Sequence, residues 1–236
     1  MDINKHKSFL VRILKDIYED ISLCSILGFK GGTALMLFYG LPRFSVDLDF
    51  DLLAPDKTEM VYAKLRTILL KYGKIDDEAI KHYGIIMVLN YGSGERMLKI
   101  EISTRLFENR YEIKYFLGIG IKAMARPDMF SHKLCALLDR KAFTNRDLFD
   151  CWFFLDRQTP LNRKIVEMRT GMPLEDYLQK CIDFLEKMSS RSMLQGIGEL
   201  VDEKIKVFVK NSLRKETIAL LKIYKEMPVL NADKIM

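Results

Sequence analysis

Two aspartates at alternate positions, Asp47 and Asp49, are the residues of this sequence best placed to do chemistry. They lie in a segment where apolar and acidic residues alternate, which predicts a β-strand with both carboxylates on one face. The rise of a strand places them roughly 6–7 Å apart, close enough to hold shared cations. Oxygen ligands alone suit Mg²⁺, which takes substrate phosphates as further ligands.

A third acid, Glu101, lies between Ile100 and Ile102 on the polar face of another predicted strand. On a neighbouring strand it would complete a two-metal clamp of the kind that catalyses phosphoryl or nucleotidyl transfer. The alternative is an ordinary solvent-exposed strand face that carries acidic residues, and most isolated D-x-D sequences are of this kind. We predict that Asp47, Asp49 and Glu101 are catalytic and bind Mg²⁺.

A glycine pair stands upstream of these acids, where Gly31, Gly32 and Thr33 open a predicted helix after a short predicted strand at 26–29. Glycines let the backbone approach phosphate oxygens, and a helix N-terminus offers N–H groups and the positive end of a dipole. A lone Gly-Gly is usually a turn, but a following D-x-D makes the combination more specific. We predict that these three residues bind a nucleotide, together with Arg43 and Ser45.

The secondary structure around these residues is predicted from hydrophobic periodicity. Helices are expected at 7–23, 34–39 and 58–72, and strands at 44–52, 85–91, 97–103, 111–117 and 119–124. From Pro127 onward the pattern is helical, with helices expected at 127–142, 146–157, 173–188, 199–211 and 214–227. This predicts an α+β fold: a mixed sheet flanked by helices in residues 1–122, followed by a C-terminal helical domain in residues 123–236.

Composition narrows the partners and the compartment. The net charge of +6 favours polyanionic partners such as nucleic acid or nucleotide phosphates, although many lysine-rich proteins have none. The four cysteines are far apart and form no C-x-x-C pair, which argues against disulfides or structural zinc and predicts a reducing cytoplasm. No apolar run is long enough to span a membrane, and the N-terminal segment lacks the apolar core of a signal peptide.

Together these motifs resemble those of the polymerase-β-like nucleotidyltransferase superfamily. Residues 30–35 and 43–50 are more closely similar to the AbiEii/AbiGii toxin family, the toxin half of type IV toxin–antitoxin systems, which includes the MenT-like nucleotidyltransferases. Residues 99–103, 132–140 and 145–150 resemble later motifs of that family.

The resemblance implies a nucleotidyltransferase core and a Mg²⁺-dependent enzyme that transfers a nucleoside monophosphate from an NTP to RNA, in some members to the 3′ end of tRNA. It also raises the expectation of a cognate antitoxin encoded nearby. Two alternatives stay open: the same chemistry on a protein or small-molecule acceptor, and a non-catalytic binding module on the same fold.

The later motifs add a lysine and two acids. Lys133 falls inside the apolar arc of the predicted helix 127–142, where a lysine either snorkels or points into a site. The resemblance favours a catalytic Lys133 beside the transferring phosphates, and on this basis Lys133→Met should leave thermal stability unchanged or higher. Asp150 is expected to orient Lys133 or the acceptor hydroxyl, so that the helical domain contributes both residues to the site. Asp147 is the second choice for that acid and is otherwise assigned to the nucleotide.

A basic cluster lies between the two helices that carry these residues, formed by Arg140, Lys141 and Arg146. It could hold the backbone of an acceptor RNA through its positive charge. The alternative is a solvated loop between helices.

Overall fold

The structure, a computed structural model, describes residues 2–139, 143–189 and 192–226. The chain divides into two compact units, Met1–Met124 and Ala125–Met236. Within the described ranges, no helix combines the length and apolar character needed to cross a bilayer.

The first unit is built on a mixed β-sheet with helices against it. Its strands are β1 (Leu27–Lys30), β2 (Leu48–Leu52), β3 (Lys74–Lys81), β4 (Gly84–Asn90), β5 (Leu98–Ser103), β6 (Tyr111–Phe116) and β7 (Ile119–Met124). Its helices are α1 (Ile3–Glu19), α2 (Ile21–Cys24), α3 (Gly31–Phe38) and α4 (Thr58–Leu70), with a 3₁₀ turn at Pro55–Lys57. In the described part of the chain the seven strands lie in the order β3-β4-β5-β2-β1-β7-β6.

The centre of the sheet brings the two predicted acidic strands together. β2 pairs parallel with β5, although the two are separated by β3 and β4 in the sequence. On its other side β2 pairs antiparallel with β1, which leads into α3 and the glycine pair. The inward residues of β2 and β5 are fully buried: Leu48, Phe50, Ile100 and Ile102. This apolar layer fixes the register, because a slip of one residue would bury the acids.

The strand that carries the aspartates is shorter than its alternation predicts. β2 begins at Leu48, so Asp47 lies one residue before the strand. The backbone carbonyls of Val46 and Asp47 are bonded by side chains, from His6 and Thr33 respectively, instead of joining a ladder. Side-chain donors have therefore replaced sheet pairing at this point.

One strand was not predicted at all. β3 has the sequence Lys-Ile-Asp-Asp-Glu-Ala-Ile-Lys, which lacks a continuous apolar face. It lies at one edge of the sheet and pairs with β4, with a bulge between Ile75 and Asp77. Charged residues and a bulge are common on edge strands because they discourage pairing with other chains.

The second unit is helical. It contains α5 (Arg126–Asp139), α6 (Asn145–Asp156), α7 (Arg163–Thr170), α8 (Leu174–Lys187), α9 (Glu203–Asn211) and α10 (Leu213–Glu226), with a 3₁₀ turn at Gly198–Leu200. The short α7 was not predicted, because it has only 8 residues, most of them polar, and buries only Ile165 and Val166. The predicted α+β fold, a mixed sheet flanked by helices and followed by a helical region, is confirmed.

Candidate active site

Asp49 and Glu101 meet on neighbouring strands at the centre of the sheet. They are register partners in the parallel pair of β2 and β5, as are the buried residues Leu48 and Ile100 before them. Adjacent strands are about 4.8 Å apart, so the two carboxylates project side by side. Asp47 lies two residues before Asp49 and is half-buried like it. We call Asp47, Asp49, Glu101 and the neighbouring Lys99 the acid face.

Gly31, the first of the glycine pair, is in direct contact with this face through Asp49. Gly31 has φ of 76°, a left-handed conformation that favours glycine, and a Cβ atom there would fall on the carboxylate of Asp49. Gly31 is the first residue of α3, whose N-terminal N–H groups have no partner within the helix. Asp49 thus lies against a helix start of the kind that binds phosphate.

Arg43 and Ser45 converge on the second glycine. A Cβ atom at Gly32 would lie 2.6 Å from Oγ of Ser45 and 2.9 Å from Nη2 of Arg43. Arg43 is 6% exposed, and its Nη1 donates to the carbonyl of Phe44 at 3.1 Å. The structure therefore brings together five residues predicted to take part in nucleotide or metal binding: Gly31, Gly32, Arg43, Ser45 and Asp49.

Thr33 and His6 hold the backbone that leads to the aspartates. Thr33 is buried, and its hydroxyl donates to the carbonyl of Asp47. His6 is also fully buried, with Nε2 2.9 Å from the carbonyl of Val46 and Nδ1 2.6 Å from the hydroxyl of Tyr91. Because a carbonyl can only accept, Nε2 carries the proton and Nδ1 accepts from the tyrosine. Both side chains thus fix the main chain at Val46 and Asp47.

The sequence interpretation missed His6. Burial lowers its pKa, and the hydrogen bond to Val46 opposes this shift without cancelling it. The available signal was its spacing, since His6 shares the buried face of α1 with Leu10, Ile13 and Ile17. This buried histidine therefore positions the segment that precedes Asp47.

Asp51 is a second residue that the sequence interpretation did not single out. It follows Asp49 on the same face of β2, but it is only 2% exposed. Its carboxylate receives Nζ of Lys30 at 2.5 Å, the hydroxyl of Tyr111 at 2.7 Å and Nδ2 of Asn109 at 3.2 Å. With these donors around it, Asp51 ties β2 to the segment before α3 and to β6.

Lys99 lies among the acids. Its Nζ is 2.8 Å from Oε2 of Glu101, two residues along β5. Burial tends to lower the pKa of Lys99, but the hydrogen bond to Glu101 and the charges of Glu101, Asp47 and Asp49 outweigh it and raise the pKa. The ammonium is therefore within electrostatic reach of all three acids.

The acid face offers the ligands that Mg²⁺ prefers. Its donors are carboxylate oxygens, and Asp49 and Glu101 can reach a common cation by side-chain rotation, because they are register partners. In residues 2–139, 143–189 and 192–226, no group of three or more His, Cys, Asp and Glu side chains is gathered as metal ligands. The carboxylate of Glu101 is instead bonded to Lys99. The residues fit the metal, with Glu101 turned towards an ammonium.

In the second unit Lys133 pairs with both candidate acids. Its Nζ on α5 lies 3.1 Å from Oδ1 of Asp147 and 2.8 Å from Oδ2 of Asp150, both on α6. The side chains of these residues are 16%, 3% and 0% exposed, respectively. Thr144, the N-cap of α6, donates to Asp147 at 2.6 Å. We call Lys133, Asp147 and Asp150 the buried lysine cluster.

These ion pairs change what a substitution of Lys133 should do. The lysine does lie among apolar neighbours such as Met129 and Leu137, but its ammonium is bonded to carboxylates. Removing it would leave two acids buried without this partner, which is costly. The apolar arc alone led us to expect unchanged or higher thermal stability for Lys133→Met. With these ion pairs present, we expect the variant to be less stable than the wild type.

The predicted basic cluster falls largely outside the described residues. Arg140 and Lys141 lie in the segment 140–142, which is not described, and Arg146 is half-buried in the first turn of α6. The proposed contact of this cluster with RNA stays a prediction.

The chain is similar to known proteins in sequence and in fold. Residues 12–219 match the family described as "Nucleotidyl transferase AbiEii toxin, Type IV TA system". A Helicobacter pylori protein assigned as a nucleotidyltransferase has a similar fold, with a TM-score of 0.63 and 21% identity over 94% of each chain. The H. pylori protein JHP933 is also similar, with a TM-score of 0.61 and 20% identity over 95% of this chain and 92% of that one. No curated protein gives a significant match.

The family match covers most of the chain, including the glycine pair, the acid face and the buried lysine cluster. The two solved structures share the fold along nearly the whole chain. The chain therefore belongs to the AbiEii nucleotidyltransferase toxin family, and it is a nucleotidyltransferase.

Proposed function

We propose that this enzyme is a Mg²⁺-dependent toxin that transfers a nucleoside monophosphate from an NTP to RNA, with the 3′ end of tRNA as the acceptor. The observation that carries the proposal is the contact between the carboxylate of Asp49 and Gly31 at the start of α3. An acid that we propose to bind Mg²⁺ thus lies beside backbone N–H groups suited to phosphate.

Each predicted site residue of the first unit has a role in this proposal. Asp47, Asp49 and Glu101 would hold Mg²⁺, which supplies charge stabilisation for the attacking and leaving oxygens when it is bound. Gly31 and Gly32 leave room for Asp49, Ser45 and Arg43 beside the start of α3, whose N–H groups would bind the triphosphate. Both Ser45 and Arg43 lie next to Gly32, where they would offer a hydroxyl and a guanidinium to the phosphates. The planar guanidinium of arginine can form two parallel hydrogen bonds to a phosphate. Thr33 supports Asp47 through its carbonyl.

For the second unit, the motif resemblance supports a catalytic role of Lys133. A lysine ammonium can stabilise charge that develops on a transferring phosphoryl group. Asp147 and Asp150 hold this ammonium at 3.1 and 2.8 Å and keep it in one position, so both acids share the task that was expected of one. Arg140, Lys141 and Arg146 are proposed to contact the RNA backbone.

A labelling experiment tests the reaction and the acceptor together. The purified protein is incubated with Mg²⁺, total RNA and each α-labelled NTP in turn, and labelled RNA is mapped at its 3′ end. Transfer should fall by about 10³-fold or more in Asp49→Asn, since several kcal/mol of transition-state stabilisation are lost with a metal ligand. Asp56→Asn, which changes an acid 70% exposed on the 3₁₀ turn, should transfer at the wild-type rate.

The acceptor and the toxin role have separate outcomes. Label on protein and never on RNA would reject RNA as the acceptor while keeping the enzyme class. Expression without a partner should slow bacterial growth, and Asp49→Asn should relieve this effect. A wild-type protein that leaves growth unchanged would argue against a toxin.

A further inference from the structure

Lys99 occupies an unusual place for a positive charge, on the same strand face as a proposed metal ligand. Lys99 and Glu101 alternate with the buried residues Leu98, Ile100 and Ile102 on β5, so both side chains leave the sheet on its polar side. Their charged atoms are 2.8 Å apart, and Glu101 is the register partner of Asp49. The ammonium thus engages one oxygen of a carboxylate that is proposed to bind the metal ion.

An ammonium and a divalent cation compete for such an oxygen. Mg²⁺ binds carboxylate oxygens at about 2.1 Å and demands a defined octahedral geometry, which an oxygen engaged by Lys99 does not provide. Two cations on the same carboxylate also repel each other at short range. Binding of a divalent ion at the oxygen that Lys99 engages therefore competes with the Lys99–Glu101 pair.

The pair is built so that it can open. The side chain of Lys99 is 40% exposed and that of Glu101 is 46% exposed, so water screens their attraction. Ion pairs with this exposure contribute little net free energy, and their members exchange readily with solvent. Lys99 also feels the charges of Asp47 and Asp49, so it offsets repulsion across the acid face while the pair is closed.

We propose that Lys99 is an exchangeable counter-ion of the acid face, which competes with the divalent cation for Glu101 and weakens binding of the bare cation. The proposal rests on the proposed function, because it takes Glu101 as a metal ligand. A nucleoside triphosphate brings new negative charge for the displaced ammonium, so metal and nucleotide load together. Lys99 is a positioning residue in this scheme.

The test is a titration with Mn²⁺ alone, in which the unbound ion is measured by electron paramagnetic resonance. Wild type, Lys99→Met and Lys74→Met are compared. Lys74 is a matched control, since it forms an equivalent pair with Asp76 two residues along β3, also at 2.8 Å. Lys99→Met should bind Mn²⁺ about fivefold more tightly than wild type, as expected for loss of an exposed competing charge. Lys74→Met should match wild type.

A second pair of variants tests whether Glu101 is the object of the competition. In a Glu101→Gln background, adding Lys99→Met should change the affinity for Mn²⁺ by much less than fivefold. Lys99→Gln, with a polar side chain, is measured beside Lys99→Met, and circular dichroism checks that each variant is folded.

The outcomes separate this inference from the proposed function. If wild type binds Mn²⁺ and both Lys99 variants bind it no more tightly, the counter-ion role is overturned and the metal site stands. An equal gain in Lys74→Met would also overturn it, because the effect would then be one of net charge. If neither wild type nor any variant binds Mn²⁺, with or without NTP, the metal-dependent function itself fails.

Discussion

The acid face and the buried lysine cluster both combine a lysine with carboxylates, but they differ in exposure. In the first, Lys99 and Glu101 are 40% and 46% exposed. In the second, Lys133, Asp147 and Asp150 are 16%, 3% and 0% exposed. The nitrogen–oxygen distances overlap, at 2.8 Å for the first pair and 2.8 and 3.1 Å for the second. Geometry alone does not distinguish the two groups.

Exposure changes what the same contact can do. Near water, attraction is screened and a charged group that leaves its partner is hydrated at once, so the pair can exchange. In the buried cluster, a charge that loses its partner has no water to replace it, so the lysine is held in one place. We therefore expect the ammonium of Lys99 to exchange between partners and that of Lys133 to stay in one position.

The largest effect on stability should therefore come from Lys133→Met. It leaves Asp147 and Asp150 buried without their lysine, and breaking a buried pair in this way costs about 3–5 kcal/mol of unfolding free energy. Lys99→Met should cost no more than about 1 kcal/mol. Urea denaturation followed by circular dichroism measures both.

A triple variant serves as the control for this prediction. Lys133→Met combined with Asp147→Asn and Asp150→Asn removes all the charges together and should recover part of the lost stability. Equal stabilities of Lys133→Met and Lys99→Met would contradict the larger cost expected for the buried ion pairs.

Gly31→Ala should have an intermediate effect, confined to the acid face. Alanine at φ of 76° costs roughly 1–2 kcal/mol, and its Cβ would displace the carboxylate of Asp49. Gly40→Ala is the matched control, because its φ is 70° but a Cβ there meets nothing within 4 Å. Both variants should lose similar backbone stability, as measured by urea denaturation.

Only Gly31→Ala should also lose turnover, by roughly tenfold or more, since misplacing a reacting group by about 1 Å is enough. An equal fall in turnover for Gly40→Ala would show that the contact with Asp49 has no catalytic weight.

The sequence predicts the parts of this site that depend on local pattern. Alternation of apolar and acidic residues located Asp49 and Glu101, and the glycine pair located the start of α3. The parallel pairing of β2 with β5 could only be assumed, because two strands intervene between them in the sequence. Local pattern indicates which face a residue occupies, and tertiary structure decides what it meets there.

The residues that were missed share a dependence on distant partners. His6 contacts a carbonyl 40 residues away, and Asp51 receives a hydrogen bond from Tyr111, 60 residues away. The start of β2 was misjudged for the same reason, since donors from α1 and α3 take the carbonyls of Val46 and Asp47. Lys133 was placed correctly on an apolar arc, but its charged partners lie on another helix.

The last predicted effect is a pH dependence of stability that arises from His6. His6 is buried beneath it as a neutral ring, and burial lowers its pKa below the ordinary value of 6.5. Above pH 6.5 the ring is neutral in both folded and unfolded chains, so its contribution to stability is complete. As the pH falls below 6.5, the unfolded chain takes up the proton first, and stability declines until the pH passes the folded pKa.

The decline should amount to about 1.4 kcal/mol for each unit by which folding lowers the pKa of His6. Unfolding free energies of wild type and His6→Gln are compared between pH 7.5 and 5, where glutamine can still donate to the carbonyl of Val46. The variant should lose this part of the pH dependence, whereas His82→Gln, at an exposed position, should keep it. Transfer activity should fall only as the pH approaches the lower folded pKa, because only then does His6 in the folded protein take up a proton and lose the hydrogen bond that it accepts from Tyr91. A wild-type protein whose stability is flat from pH 7.5 to 5 would show that His6 does not couple proton uptake to the acid face.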